Sequence, residues 1–463
     1  MVFSSLLFLF IFLPIFLGVY FLAPKGVKNG VLLIFSLIFY GWGEPIYIVL
    51  MIFSTVFDFY NGIIIDKYRH RRKLVKTIFI GSLIINFGML GVFKYSGFIV
   101  DSVNNFLGTS IDFQGLPLPI GISFYTFQTL SYVIDVYLDK VKVQRNIISF
   151  GAYISMFPQL IAGPIVRYAS VENQMDNRKT TLDDFSEGVY RFLGGLFKKV
   201  IIANNIGLLW ATVKASEFSN MSMLTAWLGI IAFTLQIYFD FSGYSDMAIG
   251  LGKMIGFHFP ENFNYPYISK SITEFWRRWH ISLGTWFREY VYIPMGGNKV
   301  KVSRHIFNLL TVWMLTGLWH GAAWNFVFWG LYFGVILIVE KFIIKDILVR
   351  LPSSIQHIYA LLLVLIGFVI FEIDSLTGIK EYVGAMFINT NFIDSAGLYY
   401  LTSYGVVILI GCILATPLVK IIAQKIKDSK VNIIIPIVQL ALFIVCICYL
   451  VNDTYNPFLY FRF

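Results

Sequence analysis

Apolar runs of about twenty residues recur along this chain from its first residue to residue 450. Each run can cross the roughly 30 Å hydrocarbon core of a bilayer as a helix. Lipid offers no hydrogen-bond partner to backbone groups, and the runs show none of the period-2 alternation of a membrane barrel. The sequence therefore predicts an all-α integral membrane fold, a multi-pass bundle of about ten to twelve helices in a single domain over residues 1–463.

Charged residues are few and clustered. They make up 13% of the 463 residues, about half of their share in soluble domains. The net charge of +10 lies largely in basic segments between the apolar runs, at residues 67–76, 260–304 and 420–430. Such segments tend to stay in the cytoplasm, which argues against nucleic-acid binding and places both termini outside the cell membrane. The first run has no cleavage-site signature, so we expect it to be retained as a helix.

One region concentrates the tryptophans and histidines. Seven of the ten Trp residues lie between positions 276 and 329, interleaved with three of the six histidines. Helical spacing would place Trp276 and His280 on one face, with Glu274 and Arg278 paired on a neighbouring face. The alternative to a functional role for His280 is a snorkelling side chain on an interfacial helix. The histidines lack metal-ligand spacing, so neither a metal nor another bound cofactor is expected.

His320 ends the apolar run of residues 306–319. An ionisable residue at membrane depth usually faces a cavity or the bundle interior. The neighbouring Gly317 and Gly321 would let another backbone or a substrate approach closely. A neutral imidazole at this place can take the proton of a hydroxyl that attacks an acyl carbonyl. A histidine that bonds to a neighbouring helix for packing would fit the same pattern.

Two carboxylates interrupt the apolar run of residues 224–250. In a helix, Asp240 and Asp246 fall on different faces, and each needs a partner or water. They would line the substrate path or orient the histidines; alternatively, they would form structural ion pairs with Arg167 or Lys253.

Several long stretches resemble the membrane-bound O-acyltransferase (MBOAT) family, particularly its bacterial branch with the alginate O-acetylation subunit and the D-alanyl transfer protein of teichoic acids. The stretches are PQLIAGPIVRY at 158–168, YFDFSGYSDMAIGLGKMIGF at 238–257, NFNYPY at 262–267, SITEFWRRWHISLGTWFREYVYIPMGGN at 271–298 and TGLWHGAAWNFVFWG at 316–330. The resemblance implies a helical bundle around a narrow tunnel, with His320 as catalytic histidine and His280 as a second polar residue on the tunnel wall. We also predict substrate contacts from six residues: Trp276, Trp279, Arg278, Asp240, Asp246 and Trp319.

The resemblance also implies a reaction. Members of the family take an acyl group from a cytosolic thioester, such as acetyl-CoA or an acylated carrier protein, and pass it to a hydroxyl. We therefore expect O-acetylation of an extracellular or cell-wall polysaccharide, with an SGNH-type extracellular acetyltransferase as partner. The alternatives are a lipid or protein O-acyltransferase and, from another class, a polytopic transporter, although the inverted halves common in transporters are not visible.

An aromatic tail occupies residues 451–463, which the predicted topology places outside. Its ending, FLYFRF at 458–463, resembles a C-terminal aromatic motif of the polysaccharide branch. We hypothesise that Tyr460 accepts the acyl group at His320 and carries it outward, because a phenol, with a pKa of about 10, is a better leaving group than an alkyl alcohol. The alternative is an aromatic anchor at the membrane interface.

Overall fold

The computed structural model describes residues 1–161, 163–427 and 434–452, which form helices and connecting segments with no strand among them. The predicted all-α membrane fold is thus confirmed. The α-helices are α1 (Leu13–Leu22), α2 (Lys28–Gly43), α3 (Ile48–Lys67), α4 (Arg72–Leu107), α5 (Ile122–Tyr137), α6 (Ile147–Ser155), α7 (Phe157–Leu160), α8 (Tyr168–Asn177), α9 (Leu182–Phe197), α10 (Asn204–Lys214), α11 (Met223–Met254), α12 (Ile272–Arg278), α13 (Ile281–Phe287), α14 (Val302–His320), α15 (Trp324–Val339), α16 (Lys345–Arg350), α17 (Ser353–Glu372), α18 (Leu376–Phe387), α19 (Ser395–Leu414), α20 (Leu418–Lys427) and α21 (Ile434–Asn452). Wider π-helical turns occur at Phe8–Phe12, Lys198–Ala203, Arg288–Tyr292 and Glu340–Ile344.

Within the described part of the chain, nine helical segments are long and apolar enough to cross a membrane. They are Lys25–Gly43, Ile48–Lys67, Arg72–Leu107, Leu182–Lys214, Met223–Met254, Trp324–Arg350, Ser353–Glu372, Ser395–Leu414 and Ile434–Asn452. The number is one below the range expected from hydropathy. Phe8–Leu22 forms a further, shorter apolar helix, and the apolar residues after position 121 fold into the shorter helices α5 to α8. Helix α6, for example, begins at the Asn146 cap and ends three residues before Pro158.

The chain packs as two compact units. Unit 1 comprises Met1–Phe192 and Ser245–Pro260, and unit 2 comprises Leu193–Tyr244 and Glu261–Phe463. In unit 1 a buried carboxylate ties helices α3, α4 and α5 together. Asp58 accepts hydrogen bonds from the Ser82 hydroxyl at 2.6 Å and the Asn86 amide at 2.8 Å, and the Thr129 hydroxyl donates to the Asn86 amide oxygen at 3.4 Å. These bonds compensate the carboxylate for its loss of water.

In unit 2, glycines bring α14 and α15 into close contact. A Cβ atom added at Gly317 would overlap the backbone oxygen of Phe326, and one added at Gly330 would overlap that of Trp313. The close approach predicted at Gly317 is therefore made by the backbone of α15. Small residues at a helix crossing are the usual means of tight packing in membranes, where dispersion forces replace the hydrophobic effect between helices. The hairpin of α14 and α15 carries His320 at its turn.

Candidate active site

A cavity of about 450 Å³ within unit 2 brings the two predicted histidines together. Its walls belong mainly to helices α12 to α15. It is lined by Thr273, Trp276, Arg277, Trp279, His280, Ile281, Leu283, Gly284, Thr285, Phe287, Arg288, Tyr292, Leu309, Val312, Trp313, Thr316, His320 and Leu337. Apart from the histidines, the basic side chains in its lining are Arg277 and Arg288. The cavity is therefore largely apolar and aromatic, with a positive electrostatic bias.

Helix α12, which forms one wall, is fixed at its first turn by two acceptors. The Ser271 hydroxyl accepts a hydrogen bond from the backbone N–H of Glu274 at 3.0 Å. The buried carboxylate of Glu340 accepts from the backbone N–H groups of Ile272 at 2.6 Å and Thr273 at 2.8 Å. These groups lack partners inside the helix itself, and a negative charge at this end also opposes the helix dipole. Glu340 thus anchors the cavity wall from the end of α15.

The prediction that Trp276 and His280 share one face of a helix is wrong. Helix α12 ends at Arg278, and His280 has φ 44° and ψ 54°, in the left-handed region. Both side chains nevertheless line the cavity, because the turn redirects the chain and starts α13. Neither glycine nor proline stands at this turn, so sequence patterns did not indicate it.

The predicted pair of Glu274 and Arg278 is present. The Arg278 Nη2 atom lies 2.9 Å from the Glu274 Oε1 atom, and Nη1 donates to the backbone oxygen of Asn264 at 3.0 Å. The arginine that lines the cavity is its neighbour, Arg277. The structure therefore does not bring Arg278 to the cavity wall with the histidines.

His280 is held by a hydrogen bond and by an aromatic ring. Its Nδ1 atom lies 3.1 Å from the Asn262 amide oxygen, and the Phe241 ring meets the imidazole edge-on with centroids 4.7 Å apart. The side chain is buried and lies outside the nine spanning segments. Burial lowers the pKa of His280 well below its usual value, and the charge that His320 carries when protonated lowers this pKa further. His280 is therefore neutral at physiological pH.

His320 is buried at the C-terminal end of α14 among aromatic rings. Its ring centroid lies 5.0 Å from that of Trp329, 5.3 Å from that of Phe371 and 5.1 Å from that of Trp319. Trp319 also lies 5.8 Å from the His280 ring, so this predicted substrate contact stands beside both histidines. Aromatic walls of this kind exclude water from the histidines.

The two carboxylates of α11 occupy ion pairs away from the cavity lining. Asp240 lies 2.6 Å from the Lys199 ammonium, and Asp246 lies 2.6 Å from the Arg191 guanidinium. Both carboxylates are therefore in ion pairs, as one of the two predicted alternatives stated. Their partners are not the predicted Arg167 and Lys253. The true partners are at least 41 residues away along the chain, where only helix packing decides which cation is near.

Sequence reasoning missed several residues that build the site. Asn262 holds His280, Glu340 caps α12, and Arg277 and Arg288 line the cavity. Glu340 gave a usable signal, since it is an acidic residue inside an apolar stretch. Tyr460, the predicted acyl carrier, lies outside the described residues.

Comparison with known proteins decides the family. The sequence model of MBOAT, the membrane-bound O-acyltransferase family, matches residues 72–379, about two thirds of the chain including both histidines. The chain belongs to this family. The predicted family and the predicted acyltransferase class are therefore confirmed, and this MBOAT protein is an integral membrane enzyme.

Relatives of this MBOAT protein have names that refer to O-acetylation. The protein named "Probable alginate O-acetylase AlgI" of Azotobacter vinelandii is 44% identical over 392 residues, covering 84% of this chain and 78% of the relative. The protein of the same name from Pseudomonas putida is 40% identical over 488 aligned positions, covering all of both chains. The "Peptidoglycan O-acetyltransferase" of Helicobacter pylori is 35% identical over 374 residues, covering 74% of this chain and 70% of the relative.

Proposed function

We propose that this MBOAT protein is an O-acetyltransferase that serves the O-acetylation of a polysaccharide outside the cell membrane. The relatives support the substrate class, because alginate and peptidoglycan, the polymers in their names, both present sugar hydroxyls. The observation that carries the proposed chemistry is the placement of two buried histidines, His280 and His320, on one aromatic-walled cavity.

In the proposed reaction His320 acts as general base. The oxygen of the acceptor hydroxyl attacks the thioester carbonyl carbon while His320 takes the hydroxyl proton. The carbon–sulfur bond then breaks, and the imidazolium returns the proton to the departing sulfur, which leaves as a thiol. The products are an acetyl ester and the free thiol. The rings around His320 support this role, since they keep out water that would hydrolyse the thioester.

The charges of the cavity suit a phosphorylated thioester. Arg277 and Arg288 line it beside the histidines, and arginine is well matched to phosphate oxygens. Acetyl-CoA combines a thioester with several phosphate groups. We therefore propose acetyl-CoA, or an acetylated phosphopantetheine carrier, as the donor, with the indole rings of Trp276 and Trp279 in contact with it.

The later route of the acetyl group remains a prediction from the sequence. An SGNH-type acetyltransferase outside the membrane would complete transfer to the polymer, and Tyr460 is the hypothesised carrier between the two sites. The SGNH-type partner and the Tyr460 carrier both require that the acyl group leave the cavity on the outer side of the membrane. The membrane orientation predicted from the basic segments is consistent with this route.

The test is a pair of substitutions at His320. We expect His320→Ala and His320→Gln to lower thiol release from acetyl-CoA by about 100-fold or more, since general base catalysis is worth roughly 10²- to 10⁴-fold. His280→Asn should have a smaller effect because an amide still accepts a hydrogen bond. His70→Ala is the matched control, since His70 is exposed in the turn between α3 and α4. Activity above a few per cent in His320→Gln, with normal membrane insertion, would rule out the assignment.

A further inference from the structure

The backbone at His280 is held in a costly conformation. A non-glycine residue at φ 44° lies in the sparsely populated left-handed region and persists only where its surroundings hold it. Here the segment around Asn262 supplies the support, because the Asn262 carbonyl accepts the backbone N–H of Ile281 at 3.0 Å. The His280 carbonyl in turn accepts the N–H of Gly284 at 3.1 Å and opens α13. The direction of the imidazole is therefore set by the chain on both sides of it.

The buried side chain of Asn262 shows which of its amide atoms faces His280. Its Oδ1 position receives the backbone N–H of Ser282 at 3.3 Å and the Ser282 hydroxyl at 2.9 Å, and it lies 3.1 Å from His280 Nδ1. A backbone N–H can only donate. The amide atom at this position is therefore oxygen, and a flipped amide would place two donors against each other.

This geometry fixes the proton of the imidazole. If Nδ1 were unprotonated, its lone pair would point at the lone pairs of the Asn262 oxygen. The Ser282 hydroxyl does not change this, because it lies 3.5 Å from Nδ1 but 2.9 Å from that oxygen. Nδ1 therefore carries hydrogen and donates. In a neutral imidazole the other nitrogen, Nε2, is then an acceptor.

We propose that Asn262 is a positioning residue that fixes this tautomer of His280, so that Nε2 accepts a hydrogen bond from an amide N–H on the thiol arm of the acyl donor. The inference rests on the proposed function and names the donor class more closely. The acceptor hydroxyl has a single proton, which His320 takes in the proposed reaction. An amide close to the sulfur, as in the pantetheine arm of acetyl-CoA, supplies a second donor on the substrate.

Two small thioesters provide the test. S-acetyl-N-acetylcysteamine carries the amide N–H, and the analogue with an ester oxygen in place of that N–H is otherwise the same size. We expect the wild type to prefer the amide by about ten-fold in kcat/KM, the effect of one ordinary hydrogen bond. Asn262→Leu should lose this preference and should raise KM for acetyl-CoA by a similar factor with less change in kcat.

Two variants separate positioning from folding. Asn262→Asp retains an oxygen acceptor for Nδ1 and should keep the preference for the amide. Asn264→Leu, an exposed position on the same segment, should behave as the wild type. Asn262→Leu with the wild-type preference and KM would overturn the inference, as would a wild type that does not distinguish the two thioesters. Activity that survives His320→Gln would instead overturn the proposed function.

Discussion

At the scale of single residues, unit 2 contains an ion pair that is almost completely buried. The Lys199 ammonium lies 2.6 Å from the Asp240 carboxylate, and their side chains are 3% and 2% exposed. Removing each charge from water costs several kcal/mol, which the attraction between them offsets only while both are present. The pair therefore specifies how the turn at Lys198–Ala203 packs against α11.

We expect Asp240→Asn to destabilise the protein by about 3–5 kcal/mol, since it leaves the buried Lys199 ammonium facing a neutral amide. The measurement is the melting temperature of purified protein in detergent. The double variant Lys199→Met with Asp240→Leu should recover most of the loss, because neither charge is then buried.

The matched control is a more exposed pair. Lys253 and Glu187 are also 2.6 Å apart, but their side chains are 27% and 51% exposed, so Glu187→Gln should cost less than about 1 kcal/mol. Equal melting temperatures for Asp240→Asn and Glu187→Gln would show that burial adds nothing to the pair.

A residue of the site could be predicted from the sequence where its role follows from its neighbours along the chain. His320 could be selected because an ionisable group at the end of an apolar run is unusual, and His280 because it lies in the segment that concentrates tryptophan and histidine. Asn262 could not be assigned its role, since its contact with His280 depends on a left-handed turn at a non-glycine residue, which is uncommon in any sequence. Of the six predicted substrate contacts, Trp276 and Trp279 line the cavity and Trp319 lies beside both histidines. Arg278 pairs with Glu274, and Asp240 and Asp246 pair with distant cations.

At the scale of helices, the crossing of α14 and α15 sets the shape of the cavity. Trp313 on α14 lines the cavity, and Trp329 on α15 packs against the His320 ring at 5.0 Å. Gly330 lies directly against the backbone of Trp313. Any increase in the distance between the helices therefore moves Trp329 away from the His320 ring.

Gly330→Ala should consequently lower both stability and activity. Its new methyl group would overlap the Trp313 backbone oxygen, and overpacking of this kind costs about 1–3 kcal/mol. We expect a lower melting temperature and at least about a ten-fold loss of thiol release, because small displacements of reacting groups are costly. Gly91→Ala in α4 is the control, since its methyl group would meet nothing within 4 Å. A Gly330→Ala protein as active and as stable as Gly91→Ala would show that the crossing tolerates expansion.

The helices themselves were largely predictable, but their ends near the site were not. Helix α2 ends at Gly43 and α3 begins at Ile48, and the Gly-Trp-Gly-Glu-Pro sequence of residues 41–45 contains the glycine and proline that disfavour a helix. Helix α12 stops without such a residue, because the contacts of Asn262 with residues 280–282 hold the turn. A tertiary contact overrides local propensity there.

At the scale of the whole molecule, the basic segments predict how the chain crosses the membrane. The turn at residues 68–71 joins α3 to α4, and the segment at residues 108–121 joins α4 to α5 on the opposite side of a spanning helix. If the basic clusters are cytoplasmic, as their charge predicts, the turn at residues 68–71 lies inside the cell and the segment at residues 108–121 lies outside.

Single cysteines test this orientation after Cys412, Cys446 and Cys448 are replaced by serine. In intact cells, a membrane-impermeant maleimide should modify Thr109→Cys but neither His70→Cys nor Lys425→Cys. All three should react after the membrane is permeabilised, which controls for accessibility. External labelling at position 70 or 425 would reverse the predicted topology.

The cap that Glu340 places on α12 has a mechanical consequence. Its carboxylate accepts hydrogen bonds from two backbone N–H groups of α12 and, at 2.7 Å, from the Thr273 hydroxyl. These bonds link α12 to the end of α15, so the two helices are expected to move together. We therefore expect the cavity to expand at a wall that Glu340 does not hold. Helix α13 suits that role, because its Gly284 borders the cavity and its nearest non-local neighbour is 4.0 Å from an added Cβ. We expect a bulky acyl chain to be admitted by displacement of α13, which makes Gly284 the natural place to tune chain-length selectivity.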